Sequence, residues 1–141
     1  GMRIVLGGSG ARRTPTLAGA RADEYNFFIC LPDEAKTKIE VMRTAADGRS
    51  VEVTVMGGAL VGRTEAEYQE RLTKEAAKSE LRPKELEDRY TNNGFPVGTP
   101  DRVAETVAAL EEAGVERIYV QWLDLDDLDT MKETVDIVRG T

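Results

Sequence analysis

Histidine is absent from the sequence. That absence removes Ser-His and Cys-His nucleophile systems together with histidine-based zinc sites. Any proton transfer falls to carboxylates, Tyr, Lys or a cofactor. Cysteine is nearly absent too: Cys30 stands alone, so no internal disulfide framework can form and the chain suits a reducing compartment. Positive charge is in short supply, with 19 Lys and Arg against 26 Asp and Glu, a net charge of -7 and a pI near 4.8. A nucleic-acid footprint needs a basic face that displaces counterions, and this balance argues against one. There is no Lys/Arg run suited to an anionic membrane surface. Long apolar runs are missing as well, so nothing read from the sequence spans a bilayer or serves as a signal peptide. These absences point to a soluble, cytoplasmic protein.

What is present is an ordinary globular composition, 40% hydrophobic and 32% charged in 141 residues. That supports one domain with a real core over residues 2–141, with Gly1, ahead of Met2, set aside as a cloning remnant. Met2 to Leu6 reads as a short apolar strand that stops at a glycine-rich turn. A helix is expected from about Arg12 to Ala22, with Pro15 tolerable in its first turn. Asn26 to Cys30 is a second strand, apolar without interruption and therefore buried on both sides. Pro32-Asp33 opens a second helix through Ile39 and Met42, and Gly48 suits a left-handed cap. Val51, Val53 and Val55 alternate with Glu52, Thr54 and Met56 in a half-polar strand that ends near Gly57-Gly58 or resumes to Val61.

Thr64 and Glu67 form a capping box for a charged helix reaching about Leu81. Pro83 starts a further short helix to about Tyr90. Thr99-Pro100 begins another, with Val103, Val107 and Leu110 as its apolar stripe. Arg117 to Leu123 is the fourth strand, and Asp126 caps a last helix carrying Leu128, Met131, Val135 and Val138. The order is four strand–helix units with an extra helical insertion before the last strand. Such alternation implies parallel strands joined by right-handed crossovers. Four units make a small open sheet or half of a (βα)8 TIM-type barrel, and the half-barrel leaves bare edges and an apolar inner face. A homodimer burying well over ~1,000 Å² is the expected way to cover them.

The first stretch that could carry chemistry is Gly7-Gly8-Ser9-Gly10. Glycines let the backbone approach a ligand, and the following helix offers free N–H groups at its positive end. A phosphate would suit it, with Ser9, Arg12, Arg13 or Thr14 as further donors; a tight turn that merely needs glycine is the competing reading. Val97-Gly98-Thr99-Pro100 reads as a capped helix start, with a second anion contact as the lesser option. Asp124, Asp126, Asp127 and Asp129 lack the Gly and closing Glu of a calcium loop and suit the first turn of a helix, so no metal site is expected. Cys30 has no base beside it and reads as a small buried hydrophobe. Gln121 and Trp122 close the last strand, at the mouth of a barrel if one forms. Asp23, Asn26 and Gly57-Gly58 are strand-end positions explained by turn geometry.

Three stretches together carry a family resemblance: IVLGGSGARRTPTLAGARADEYN, VTVMGGALVGRTEAE and VGTPDRVAETVAALEEAGVERIYVQWLDLDDLD. With them the chain resembles the C-terminal half of the luciferase-like monooxygenases, in the branch that uses the deazaflavin coenzyme (F-420). The resemblance implies half of a (βα)8 barrel oxidoreductase that uses deazaflavin or FMN for monooxygenation or hydride transfer. It further implies that Gly7, Gly8, Ser9 and Gly10 hold the cofactor phosphate, with Arg13 or Thr14 nearby. The family's first four strand–helix units, which supply most substrate contacts, have no counterpart here. The alternative is a non-catalytic half-barrel that exists as a homodimer or accessory protein without cofactor.

Overall fold

The computed structural model describes residues 1–140; Thr141, the last residue of the expected domain, lies outside them. The elements in chain order are β1 (Val5–Gly7), α1 (Arg13–Arg21), β2 (Glu24–Phe28), α2 (Pro32–Ala46), β3 (Glu52–Gly57), β4 (Leu60–Val61), α3 (Glu65–Lys78), α4 (Pro83–Asn92), β5 (Val97–Gly98), α5 (Pro100–Glu112), β6 (Arg117–Val120) and α6 (Leu128–Arg139). The chain divides into two compact units, Gly1–Gly57 with Ala109–Tyr119, and Gly58–Ala108 with the residues from Val120 onward.

The first unit is built on a sheet in the order β1-β2-β3-β6. The β1–β2 and β2–β3 pairs are parallel, with Val5 opposite Glu24 and Asn26 opposite Thr54. This is the α/β class with a parallel sheet that strand–helix alternation predicts. Strand ends differ from expectation for local reasons. β1 starts at Val5 and not Met2 because the Asp23 carboxylate accepts the Ile4 N–H at 2.7 Å in place of a ladder partner. β2 starts two residues before Asn26 because Glu24, polar in sequence, is buried with hydrogen-bond partners of its own. It is also not buried on both sides, since Phe28 is exposed.

Phe27, Val53 and Val55 of the sheet are nearly inaccessible to water, as are Ala18 of α1, Ala22 at its C-terminal cap, and Ile39 and Met42 of α2. Ala18 and Gly19 lie on the buried face of α1, and the helical spacing of Ala35, Ile39, Met42 and Ala46 places them on that of α2. α2 ends through a left-handed residue as foreseen, but at Asp47 (φ 48°), with Gly48 (φ 84°) following it. At Gly19 the two helices meet backbone to backbone. A Cβ there would lie 2.2 Å from the Met42 carbonyl and 2.9 Å from the Ala46 N–H nitrogen. Arg49 secures the end of α1, donating to the carbonyls of Gly19 at 2.6 Å and Ala22 at 3.1 Å, acceptors that a helix terminus leaves without an internal donor.

The second unit has a two-stranded parallel sheet, with Leu60 opposite Val97 and Val61 opposite Gly98. β5 falls in the stretch that reads from sequence as a capped helix start or, less favoured, an anion contact; Val97 and Gly98 pair with β4 before α5 begins at Pro100. Tyr68, Leu72 and Ala76, one face of α3, form a core with Leu86 and Val97. A second cluster joins Val61, Val103 and Ile137. Thr64 caps α3 by accepting the Glu67 N–H at 3.2 Å, while Glu67 accepts from the Arg63 N–H at 3.0 Å. α6 is capped by Asp127, which accepts the Thr130 N–H at 3.0 Å, and not by Asp126. β6 ends at Val120, and Asp126 sits inside a turn closed by the Asp127 N–H on the Asp124 carbonyl at 3.3 Å, which leaves Asp127 at the cap.

The Gly19 contact yields the first prediction. Gly19→Ala forces α1 away from rigid backbone, so it destabilises the protein by about 1–3 kcal/mol or more, as overpacking does. Urea denaturation followed by circular dichroism measures it, and an unchanged midpoint would contradict the described packing.

Candidate functional site

The glycine loop joins β1 to α1. Gly7 ends the strand, and Gly8 turns away from it, donating its N–H to the Asn26 carbonyl at 3.1 Å. Ser9 and Gly10 are exposed, as are Arg12 and Arg13. Thr14 folds back over the loop: a Cβ on Gly8 would lie 3.0 Å from its methyl and 3.1 Å from its hydroxyl, and one on Gly10 3.3 Å from that hydroxyl. Gly8 also has φ +154°. A side chain at Gly8 would therefore disturb the loop whether or not anything binds there. The Gly8 N–H is already engaged, so donors for an anion come from the residues beyond it.

α1 differs from its neighbours at its N-terminus. α2, α3, α4, α5 and α6 each carry Asp or Glu in the first turn. α1 carries none, and its first residue is preceded by Arg12, which makes no side-chain cap. Arg12 and Arg13 have no carboxylate within ion-pair distance among the described residues, and both border a shallow hollow along α1 with Thr16, Leu17 and Arg21. Pro15 has no N–H to offer, so the amides of Arg13 and Thr14 are the free donors of the first turn. The loop's donors and cations fit a phosphate group.

Beside the loop, the sheet face that carries Asn26 holds a polar network that sequence reasoning missed. The Glu24 carboxylate, 5% exposed, accepts from the Thr54 hydroxyl at 2.7 Å and from the Tyr119 phenol at 3.2 Å. Thr54 in turn accepts from the Asn26 amide at 2.9 Å. Arg117 lies 3.9 Å from Glu24 and is bonded to Glu52, which also accepts from Arg3 at 3.0 Å. The available signal was the alternation of Glu52, Thr54 and Met56 with the valines of β3, which puts the polar set on one face.

The other residues singled out fall elsewhere. Cys30 is buried and its thiol is pushed up by that burial. Gly98 (φ 115°) lies against the Arg102 guanidinium, 2.9 Å from an added Cβ, so the Val97–Pro100 stretch is already filled by a side chain. Asp124 pairs with Lys78 at 3.3 Å, Asp127 caps α6, and Asp23 holds Ile4. Gly57 ends β3 and Gly58 faces the Phe95 ring. Gln121 and Trp122 line a cavity of about 570 Å³ within the second unit, which includes none of the glycine-loop residues.

No family model matches the chain, and no curated protein matches it. Solved structures do. The oxygenating constituent of 3,6-diketocamphane monooxygenase from the CAM plasmid of Pseudomonas putida, a type II Baeyer-Villiger monooxygenase in complex with FMN, is 23% identical with a TM-score of 0.72 over 96% of this chain. A long-chain alkane monooxygenase is 19% identical with a TM-score of 0.64 over 94% of the chain. The coenzyme F-420 dependent tetrahydromethanopterin reductase of Methanopyrus kandleri is 15% identical with a TM-score of 0.58 over 83%. These neighbours are luciferase-like monooxygenases, the family the sequence resembles. At such identities the likeness is one of fold. The chain spans 46%, 39% and 44% of their respective lengths.

The polar network supplies the second prediction. Thr54→Val leaves the buried Glu24 carboxylate without its shortest hydrogen bond and the Asn26 amide without an acceptor, which costs about 2–3 kcal/mol. Thermal unfolding of the variant measures it; a loss no larger than that of an exposed Thr→Val control would show that the network carries no stability.

Proposed function

We propose that this chain holds the phosphate of a flavin or deazaflavin cofactor in a luciferase-like oxidoreductase. One observation carries the reading: among the described helices α1 alone has no acid in its first turn, and it follows an exposed glycine loop flanked by two unpaired arginines. In a chain of net charge -7, a helix start left free of carboxylates favours an external anion. The fold shared with an FMN-bound monooxygenase and an F-420 dependent reductase supports the choice of ligand.

In this reading the amides of Ser9, Gly10, Arg13 and Thr14 donate to phosphate oxygens. Arg13 and Arg12 balance the charge, and the Ser9 and Thr14 hydroxyls add donors. A bound flavin-type ring supplies the hydride-transfer or oxygen-transfer chemistry. The protein's own part is to anchor that ring by its phosphate tail. The four main strand–helix units correspond to half of a (βα)8 barrel, and the whole enzyme's reaction requires the surfaces the other half would bring.

The test compares FMN with riboflavin, which differ only in the phosphate. FMN should bind, with riboflavin at least about tenfold weaker, since each charge-assisted contact contributes roughly 1.5–3 kcal/mol. Arg13→Ala should weaken FMN about tenfold, because an exposed charge is partly screened. Ser9→Asp should abolish FMN binding by repulsion. Fluorescence titration reads all three, and equal affinity for the two ligands would reduce the glycines to a turn.

A second proposal concerns assembly. β1 is an edge of its sheet, and Ile4 and Val5 are about half exposed there. Bare strand edges with apolar side chains invite pairing, and a second copy of the chain is the occupant we propose, cofactor-bound or not. Light scattering should return a dimer mass; a monomer across the micromolar range would overturn this.

A further inference from the structure

The second unit contains a cavity that the phosphate loop does not explain. Its volume of about 570 Å³ falls within the range of small-molecule sites, roughly 300–1,000 Å³. α3 presents Arg71, Lys74 and Lys78 to it, the spacing of one helix face. Tyr90 and Phe95, with ring centroids 5.2 Å apart, and the half-buried Trp122 form its aromatic walls. Thr134 closes it from α6.

Two of the three cations are committed. Arg71 donates to the Val61 carbonyl at 2.8 Å and is paired with Glu133, whose carboxyl it holds below the ordinary range. Lys78 lies 3.2 Å from Glu75 and 3.3 Å from Asp124. Lys74 has no carboxylate within 4.0 Å among the described residues. Asp127, which feels its charge, is engaged in capping α6. Thr134 is the second observation. It is 1% exposed and lines the cavity from α6. Its hydroxyl can both donate to and accept from a ligand in the cavity.

We propose that this cavity binds a planar aromatic monoanion, its ring against Trp122 and the Tyr90–Phe95 pair, its charged group on Lys74 and the Thr134 hydroxyl. The site is independent of the phosphate loop and stands whether or not a flavin binds there. Aromatic walls favour a flat ring, and one uncommitted cation favours a single negative charge.

Trp122 is the only tryptophan in the chain, and its indole N–H donates to the Asp124 carbonyl at 2.6 Å. Its one indole signal in a proton–nitrogen correlation spectrum therefore reports the cavity directly. Naphthoate is the probe, with naphthylmethanol as its uncharged counterpart. Naphthoate should shift the indole signal saturably and leave the amides of Gly8, Ser9 and Gly10 in place. Naphthylmethanol should bind at least about tenfold more weakly. Lys74→Met keeps the exposed stem and should remove about tenfold of the naphthoate affinity while leaving the alcohol unchanged. Thr134→Val should weaken both probes by about threefold. No saturable shift at millimolar naphthoate overturns the site. So does equal affinity for acid and alcohol, or a Lys74→Met variant that binds naphthoate as the parent does. Because the readout contains no flavin, its failure leaves the FMN comparison standing, and the reverse also holds.

Discussion

The approach of α1 to α2 at Gly19 sets the geometry of the first unit. With 2.2 Å between a would-be Cβ and the Met42 carbonyl, α1 can lie this deep only because residue 19 has no side chain. Ala18 on the same helix and Ala22 at its C-terminal cap are small and fully buried, so no bulky side chain holds the helix off. Arg49 then ties the carbonyls at the C-terminal end. A helix fixed in depth and at one end has its other end fixed as well. The glycine loop, Thr14 and the two arginines are held where β1 ends because of contacts made several residues away. Anion binding there depends on packing no less than on the donors themselves.

Much of the fold was legible in the sequence because helix signals are local. Pro32, Thr64, Pro83 and Pro100 mark their starts in the chain itself, and the structure begins α2, α3, α4 and α5 at those points. Strand limits were less legible, because pairing is non-local. Nothing near Ile4 tells that Asp23 will take its N–H, and nothing near Glu24 announces the partners Thr54 and Tyr119 from distant strands. The two-residue β5 fell under the stronger signal of the helix start that follows it. Asp126 and Asp127 are equally good caps by residue type, and only the turn from Asp124 to Asp127, which encloses Asp126, leaves Asp127 at the helix start.

The candidate site shows the same division. The glycines and the arginines were visible as residue types. That Gly8 has already given its N–H to Asn26, and that Thr14 occupies the space above it, are facts of three dimensions. They change which substitutions inform: Gly8 reports on folding, and Ser9 and Arg13 report on the ligand. The cavity of the second unit had only a faint signature, Trp122 at a strand end. Its other walls come from α3, α4 and α6, which no sequence window brings together.

The missing histidine has a consequence for how binding responds to acidity. Histidine is the side chain whose ordinary pKa falls between pH 5 and 8, and the chain has none. Its single thiol is driven upward by burial. Guanidinium groups stay charged throughout this range. A phosphate monoester passes from one to nearly two negative charges near pH 6. If FMN tightens on the glycine loop as pH rises through that value, the titrating group belongs to the guest, and a phosphodiester ligand on the same loop keeps a constant affinity.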